Sequence, residues 1–251
     1  MIDTHCHLND VQFDGIVDQI VNNYQLAGVE KVICVGCDNL SNEKAKQISN
    51  NYDSVYYAVG IHPDDCESFD SSKLEQYLKS KDRKLVAVGE IGLDYFHNKN
   101  NKQKQINTFS SQIDLANKYH LPVIIHCREA YGDCLDVLKS NPPQYGFVFH
   151  CFSGSLEFAK IVISMGGKIS FTGSVSFNNA HNLHEVAKNI PLDSFFFETD
   201  SPYLSPVPVR GTRNESKNVN YVAKFVSTLR NQDFDTLVKA TDYNATQFFG
   251  L

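Results

Sequence analysis

Two histidines near the start of the chain have the spacing of a metal-binding pair. Residues 2–7 read as a short strand, in which side chains alternate between two faces, so His5 and His7 point one way and Cys6 the other. Neutral imidazoles are common ligands of divalent metals. Such a pair alone also suits an ordinary hydrogen-bonded role, so the interpretation depends on whether the chain supplies further ligands.

The rest of the chain alternates short apolar runs with stretches of helical period. Eight runs read as strands: one that ends at residue 7, then residues 32–36, 55–60, 85–89, 122–126, 146–150, 168–172 and 194–198. The stretches that read as helices are residues 11–26, 42–48, 73–78, 103–119, 130–138, 156–165, 183–188, 219–229 and 234–249.

This alternation predicts a parallel sheet with right-handed crossovers, covered by helices. Residues 147–149 and 195–197 are apolar on both faces, as such a sheet requires. Eight strand–helix units in 251 residues favour a TIM (β/α)8 barrel, a single domain over residues 1–251 with its active site at the C-terminal rim of the strands. An open doubly wound sheet is the structural alternative, but no glycine-rich nucleotide loop follows the first strand.

Titratable side chains stand at the ends of five predicted strands. They are His5, His7, Glu90, His126, His150 and Asp200. The C-terminal strand ends of a barrel form one rim, so we expect these side chains to converge. One ion with an open coordination position needs fewer ligands, so the set predicts two divalent metal ions.

The expected division of ligands places His5, His7 and Asp200 on one ion. His126 and His150 are expected on the other ion, with Glu90 bridging the two. Paired ions activate a water and clamp the oxygens of a displacement, so hydrolysis of a phosphoester is the natural reaction. Asp200 and Glu90 are the predicted catalytic residues, Asp200 both binding metal and taking the proton of the water. Nitrogen and oxygen ligands do not choose among zinc, manganese, magnesium, nickel and cobalt.

Several neighbours of these ligands are predicted to support the chemistry. Arg128 either meets a phosphate with its planar fork of donors or makes a salt bridge at a helix start. His62 either touches substrate or has a structural role, and Asp94 is predicted to orient a ligand histidine from behind. Arg210 and Arg213 are either phosphate contacts or solvated charges. Four other histidines are given no role: His97, His120, His181 and His184.

Composition limits the classes of partner. The net charge of −6 argues against a broad basic surface that grips phosphates, so local groups or bound metal must attract any nucleic acid. Seven cysteines without a secretory signal predict reduced thiols in a cytoplasmic protein, with Cys34 and Cys37 as packing residues. No apolar run reaches the roughly 18 residues of a membrane span, so no membrane contact is expected, and no protein partner is predicted.

Five blocks of the sequence resemble the signature blocks of the TatD-like deoxyribonucleases. They lie at residues 3–8, 89–95, 121–130, 150–155 and 198–204, in order and over nearly the whole chain. The resemblance implies a metal-dependent hydrolase of the amidohydrolase type on a TIM barrel. It also implies a two-metal site whose ligands map onto His5, His7, Glu90, His126, His150 and Asp200. Family members are described as DNases that often trim single strands from the 3′ end, which implies single-stranded DNA as substrate.

The sequence departs from the family pattern at two positions of the loop after the eighth strand. Val209 stands where the family often has histidine, and Ser216 stands where proline is usual. Neither position matches a metal ligand, so the departures bear on substrate handling alone.

Three functions compete at this point. The leading hypothesis is a deoxyribonuclease, most simply a 3′–5′ exonuclease on single-stranded DNA. The first alternative is a hydrolase on the same scaffold that attacks a small phosphoester, an amide or an aminoacyl ester. The second alternative belongs to another class, a non-catalytic metal or nucleic-acid binding protein.

Overall fold

The computed structural model describes residues 1–97 and 99–251. Its backbone groups into two compact units. The first comprises residues 1–34 and 151–251, and we call it the terminal unit. The second comprises residues 35–150, and we call it the central unit.

Eight strands of the described residues form one sheet in chain order. They are β1 (Ile2–Cys6), β2 (Lys31–Val35), β3 (Val55–Val59), β4 (Leu85–Asp94), β5 (Val123–Arg128), β6 (Phe147–Phe149), β7 (Lys168–Phe171) and β8 (Phe195–Phe197). In the terminal unit the chain after β8 returns to β1, where Cys6 and Ser201 form a parallel bridge. A doubly wound sheet reverses its strand order part-way, so the sequential order excludes that alternative and agrees with the predicted (β/α)8 topology.

Helical segments connect the strands. The α-helices are α1 (Val17–Leu26), α2 (Asn39–Asn51), α3 (Ser71–Lys79), α4 (Lys102–Tyr119), α5 (Tyr131–Ser140), α6 (Leu156–Ser164), α7 (His181–Asn189), α8 (Val219–Arg230) and α9 (Phe234–Phe249). The helix predicted over residues 11–26 is shorter, because Gly15 adopts a φ of +76° between a single 3-10 turn (Val11–Phe13) and α1. By contrast, α2 begins at Asn39, three residues before the helix predicted over residues 42–48. Asp38 caps its start by accepting hydrogen bonds from the N–H groups of Leu40 and Ser41.

The strand predicted over residues 85–89 is twice as long in the structure. β4 continues to Asp94. Glu90 therefore lies within the strand, whereas it was predicted to stand at the strand's end. The register of β4 against β5 shifts between Val88 and Ile91, and pairing then continues as far as Asp94 opposite Arg128. The two glycines of this stretch, Gly89 and Gly92, allow close approach of neighbouring backbone.

Gly92 is required by two features of this pairing. Its φ is +143°, a region that residues with a side chain rarely adopt, and a Cβ there would collide with the carbonyl oxygen of His126. We expect Gly92→Ala to lower the free energy of unfolding by about 3 kcal/mol or more, the sum of backbone strain and overpacking. Thermal denaturation should show a fall in Tm of roughly 6–12 °C.

Gly132 provides the matched control for that substitution. It lies in the first turn of α5, its φ is not in the left-handed region, and a Cβ added there would meet no atom within 4 Å. Gly132→Ala should leave the Tm unchanged or raise it slightly. Equal Tm values for the two variants would contradict the requirement for glycine at residue 92.

The sheet is apolar where the sequence predicted burial on both faces. All residues of β6 and β8 are buried, including Phe149, Phe195 and Phe196. Helices pack on the sheet from outside within each unit, as Phe249 of α9 does on Phe196, with ring centroids 5.6 Å apart. Among the helices of the described residues, none has the length and apolar character needed to span a membrane.

Candidate metal centre

Three candidate ligands lie together in the terminal unit. His5 Nε2 is 3.2 Å from His7 Nε2, and Asp200 Oδ1 is 3.7 Å from His5 Nε2 and 3.3 Å from His7 Nε2. One ligand atom from each residue lies within 4.8 Å of the other two. We call these residues the terminal triad. The same three side chains were predicted from the sequence to share one ion.

Backbone hydrogen bonds hold the terminal triad together. β8 ends at Phe197, three residues before Asp200, but the Asp200 N–H donates to the carbonyl oxygen of His5 (2.9 Å). The His7 N–H in turn donates to the carbonyl oxygen of Ser201 (2.7 Å). Asp200 adopts a φ of +55°, which aspartate and asparagine tolerate better than most residues. The carboxylate therefore reaches the histidines from a loop that is fixed onto β1.

Two buried carboxylates fix the start of that loop, and neither was predicted to have a role. Asp3 accepts hydrogen bonds from the N–H (2.9 Å) and the hydroxyl (2.6 Å) of Thr199, and burial raises the pKa of Asp3 to about 7. Glu198 accepts from the N–H of Cys151 (2.6 Å) and the hydroxyl of Ser170 (2.6 Å). Some of the polar residues near strand ends, such as Asp3 and Glu198, therefore have a structural role.

Three further candidate ligands lie together in the central unit. Glu90 Oε1 is 2.8 Å from His126 Nδ1 and 2.7 Å from His150 Nε2, and the two ring nitrogens are 3.4 Å apart. One ligand atom from each lies within 4.8 Å of the other two. We call these residues the central triad. Glu90 is only 4% exposed, so its carboxylate depends on these imidazoles for compensation of its charge.

The electrostatics of the central triad suit a cation. Burial alone would lower the pKa of His126, but hydrogen bonds to Asp94 and Glu90 outweigh burial and raise that pKa to about 9. The carboxylates therefore stabilise a positive charge on or beside the ring. Because metal ligands must be deprotonated, a divalent ion at His126 Nδ1 would replace a proton that the surroundings already favour.

Asp94 lies behind His126, where a partner of a ligand histidine was predicted. Its Oδ2 is 2.9 Å from His126 Nε2 and 3.1 Å from His97 Nδ1. Its Oδ1 accepts from the backbone N–H groups of Phe96 (2.8 Å) and His97 (2.9 Å). Although Asp94 is buried, hydrogen bonds from His126 and His97 hold its pKa well below the usual range. This arrangement fixes the ring so that His126 Nδ1 lies toward Glu90.

Replacement of Asp94 by asparagine tests this support. A carboxylate accepts on both oxygens, whereas an amide accepts on one, so an asparagine side chain here cannot serve His126 and the backbone N–H groups together. We expect Asp94→Asn to weaken metal binding by about 10- to 100-fold, as loss of other partners of ligand histidines does. Titration calorimetry with manganese measures the change. Asp64→Asn is the control, because Asp64 lies 3.7 Å from His97 Nδ1 and makes no hydrogen bond to His126 among the described residues.

His62 also lies against the central triad. Its Nε2 is 3.6 Å from Glu90 Oε1, and its ring centroid is 4.4 Å from that of His126. Its Nδ1 accepts from the N–H of Asp64 (3.2 Å), which leaves the proton on Nε2, facing Glu90. Burial, and after it the neighbouring His126, lower the pKa of His62 to about 3. His62 is therefore neutral, and its substrate contact stays a prediction.

Arg128 has an exposed side chain that stacks on an aromatic ring. Its guanidinium carbon lies 3.8 Å from the ring centroid of Phe96. The alternative of a salt bridge at the start of α5 is wrong for the part of the chain that the structure describes, because the adjacent Glu129 pairs with Lys99 (3.4 Å) instead.

The two arginines of the loop after β8 differ from each other. Arg213 donates to the carbonyl oxygen of Gln12 (3.0 Å), so it holds the protein backbone and is not simply a solvated charge. Arg210 lies over the ring of Phe177, 4.1 Å from its centroid. Phosphate contact by either residue stays a prediction.

Cys37 contacts a candidate ligand, although it was predicted to be a packing residue. Its Sγ is 3.6 Å from Glu90 Oε2, within the range of a weak S–H hydrogen bond. The C-x-x-C spacing of Cys34 and Cys37 carried no sign of this contact, because Glu90 lies 53 residues away.

Each triad fits a divalent metal ion by its chemistry. All six ligand atoms are nitrogens or carboxylate oxygens, which suit zinc, manganese, nickel and cobalt, and each triad includes one carboxylate. Three protein ligands leave room for a water or substrate, as in catalytic metal sites. Convergence of all six residues at one rim, and a bridging role for Glu90, stay predictions.

Comparison with known proteins agrees with this interpretation. The family model described as TatD related DNase matches residues 2–250. The chain is 38% identical over 251 residues to the uncharacterized metal-dependent hydrolase YabD of Bacillus subtilis, covering 99% of this chain and 98% of that protein. It is 30% identical over 258 residues to a protein of Klebsiella pneumoniae named 3′-5′ ssDNA/RNA exonuclease TatD, covering 100% and 98%.

A solved structure shares the fold over the whole chain. The TatD homologue YjjV of Escherichia coli K12 superimposes with a TM-score of 0.95 at 31% identity, covering 100% of this chain and 98% of that one. This similarity confirms the predicted TIM-barrel fold class. Together, the matched residues and the sequence identity show that the chain belongs to the TatD-related DNase family of metal-dependent hydrolases.

Proposed function

We propose that the protein is a divalent-metal-dependent phosphodiesterase that acts on nucleic acid, most simply a 3′–5′ exonuclease on single-stranded DNA. The observation that carries the proposal is the pair of triads, each with two imidazoles and one carboxylate within 4.8 Å. Each triad would hold one divalent ion. The match to the family over residues 2–250 also supports one functional domain over residues 1–251.

The roles of the residues follow from their chemistry. Divalent ions bound by the two triads would supply a water of lowered pKa and stabilise charge on the phosphate oxygens. Asp200 would help to hold the ion of the terminal triad, and its carboxylate would accept the proton of the attacking water. Glu90 holds His126 and His150 in position through Oε1. Neutral His62, whose Nε2 is 3.6 Å from Glu90 Oε1, is the proposed substrate contact.

Nucleic acid as the substrate is supported by the name of one relative and by local positive groups. The Klebsiella pneumoniae relative is named for exonuclease action on single-stranded DNA and RNA. The net charge of −6 means that metal ions and individual arginines must attract the strand. Sequence preference should therefore be weak.

All seven cysteines are thiols, which supports a reducing, cytoplasmic location.

Cleavage of end-labelled oligonucleotides tests the proposal. With manganese or magnesium, a 5′-labelled single strand should shorten stepwise, and a 3′-labelled strand should release its label at once as a mononucleotide. The double variant His126→Ala, Asp200→Asn should do neither. A wild-type protein shown to hold metal but unable to cleave either strand would contradict the proposal.

A second candidate is hydrolysis of a small phosphoester, an amide or an aminoacyl ester by the same residues. The negative net charge favours it, because a small substrate needs no extended basic surface. Turnover of p-nitrophenyl phosphoesters or acyl esters without cleavage of DNA or RNA would support this candidate. A metal-loaded protein inert toward all of them would instead support a non-catalytic binding function.

A further inference from the structure

We propose that Arg128, held flat by Phe96, binds a phosphate of a polynucleotide strand next to the phosphate that is cleaved. The site would thereby select a strand over a substrate with one phosphate. This inference rests on the proposed nuclease function and adds to it the part of the substrate that is recognised. Phe96 acts in it as a positioning residue.

The contact between Arg128 and Phe96 orders an exposed charge. The guanidinium carbon lies 3.8 Å from the ring centroid of Phe96, and the ring is itself 52% exposed. Stacking of this kind stabilises the pair through the cation–π interaction and fixes the plane of the guanidinium. The N–H donors project from the edges of that plane, where two of them can meet two phosphate oxygens side by side.

No protein carboxylate competes for this guanidinium among residues 1–97 and 99–251. The adjacent Glu129 pairs with Lys99, and Tyr95, next to Phe96, donates its phenol hydroxyl to Asp133 (2.6 Å). An arginine that is ordered by a ring yet lacks an acidic partner is suited to an anion from outside the chain. The phosphodiester backbone is such an anion, with one charge for each nucleotide.

The position of Arg128 relates it to the central triad. It lies two residues beyond His126 in β5, so both side chains project from the same face of the strand. Its Cα pairs with that of Asp94, the residue that supports His126, and its carbonyl oxygen accepts from the N–H of Tyr95 (2.9 Å). Phe96 is tied to the same place, because its N–H donates to Asp94 Oδ1 (2.8 Å).

The two-residue separation of His126 and Arg128 along β5 assigns Arg128 to a phosphate next to the one that is cleaved. Two residues of a parallel strand span about 6.6 Å, which is comparable with the separation of successive phosphates along an extended polynucleotide. The central triad is largely buried, whereas the head of Arg128 is exposed beyond it. When one phosphate lies at the central triad for cleavage, Arg128 is therefore placed to bind the next phosphate of the strand, on the side toward solvent.

Comparison of two substrates tests the inference. One is a short single-stranded oligonucleotide, and the other is bis(p-nitrophenyl) phosphate, which has one phosphate. Arg128→Ala should raise the KM for the oligonucleotide about tenfold more than the KM for the small ester. It should also reduce the slope of log KM against log salt concentration by about 0.7, the value for one contact to a single strand.

Further variants separate positioning from charge. Arg128→Lys should restore most of the salt slope but only part of the KM, since lysine lacks the planar fork. Phe96→Ala should raise the oligonucleotide KM by a smaller factor than Arg128→Ala, with the salt slope retained. Arg83→Ala is the control, because Arg83 is an exposed arginine just before the start of β4, at the end of that strand remote from Asp94, and both KM values should stay unchanged.

Two results would overturn the inference, and they can be told apart from failure of the nuclease proposal. If wild-type protein cleaves the oligonucleotide and Arg128→Ala changes both KM values equally, or neither, Arg128 does not bind a second phosphate. If wild-type protein cleaves only the small ester, the nuclease proposal fails, and this inference fails with it. Circular dichroism and Tm values that match wild type exclude misfolding as the cause.

Discussion

Replacement of Asp200 by asparagine should lower kcat by about 10²- to 10⁴-fold, the contribution typical of a positioned general base. The carboxylate faces both histidines of the terminal triad, 3.3 and 3.7 Å from their Nε2 atoms. Asparagine preserves the shape of the side chain but carries no charge and accepts no proton. Kinetics at saturating metal and substrate should therefore show the loss mainly in kcat.

Asparagine is also the substitution that disturbs the fold least. Asp200 has a φ of +55°, which asparagine tolerates but alanine does not. The Tm of the variant should therefore stay close to that of wild type. Asp235→Asn, an exposed position in the first turn of α9, serves as the control and should retain full activity. Full activity in Asp200→Asn as well would remove Asp200 from the catalytic residues.

Replacement of Glu90 by glutamine should abolish metal binding at the central triad. Glu90 Oε1 accepts from both His126 (2.8 Å) and His150 (2.7 Å), and it is the sole carboxylate of the triad. Without that charge, we expect the metal affinity to fall more than about 100-fold, beyond the effect of losing a partner of a ligand. Mass spectrometry of the metal content should show a loss of one ion per chain, with activity lost alongside.

The matched control is another glutamate of the central unit. Glu67 is exposed in the 3-10 turn Pro63–Ser68, so Glu67→Gln changes the same charge away from the triad. Its metal content and activity should equal those of wild type. If Glu90→Gln retained its metal, the central triad would not be a metal site, whatever its effect on the rate.

The grouping of the candidate ligands could be predicted because their positions depend on simple strand geometry. Alternation of side chains along β1 places His5 and His7 on one face, and the structure brings their Nε2 atoms within 3.2 Å. His126 and His150 follow the apolar cores of neighbouring parallel strands, whose ends lie at one edge. Chain-order pairing therefore turns positions far apart in sequence into neighbours.

The bounds of β4 could not be predicted, because glycine permits more than one backbone conformation. Glycine occurs both in turns and where two backbones approach closely, and here Gly92 allows the backbone to approach His126. Which of these occurs depends on the neighbouring strand β5, not on local sequence. Glu90 therefore stays a candidate ligand, but on a strand whose end was predicted wrongly.

Contacts made by side chains in loops, away from the strand ends, were also not predicted. His97 was given no role, yet its ring and its N–H both contact Asp94, because the chain turns directly after β4. Cys37 and Phe96 carry no local pattern that distinguishes a contact with a ligand or an arginine from packing. Such contacts depend on tertiary structure, so a single sequence contains no periodic signal for them.

The most direct test of the two proposed metal sites is a crystal structure of the protein grown with manganese, with diffraction data collected at the manganese absorption edge. We expect two anomalous peaks per chain, one bound by His5, His7 and Asp200 and the other by Glu90, His126 and His150. A single peak, or peaks away from these residues, would contradict the assignment of a metal ion to each triad.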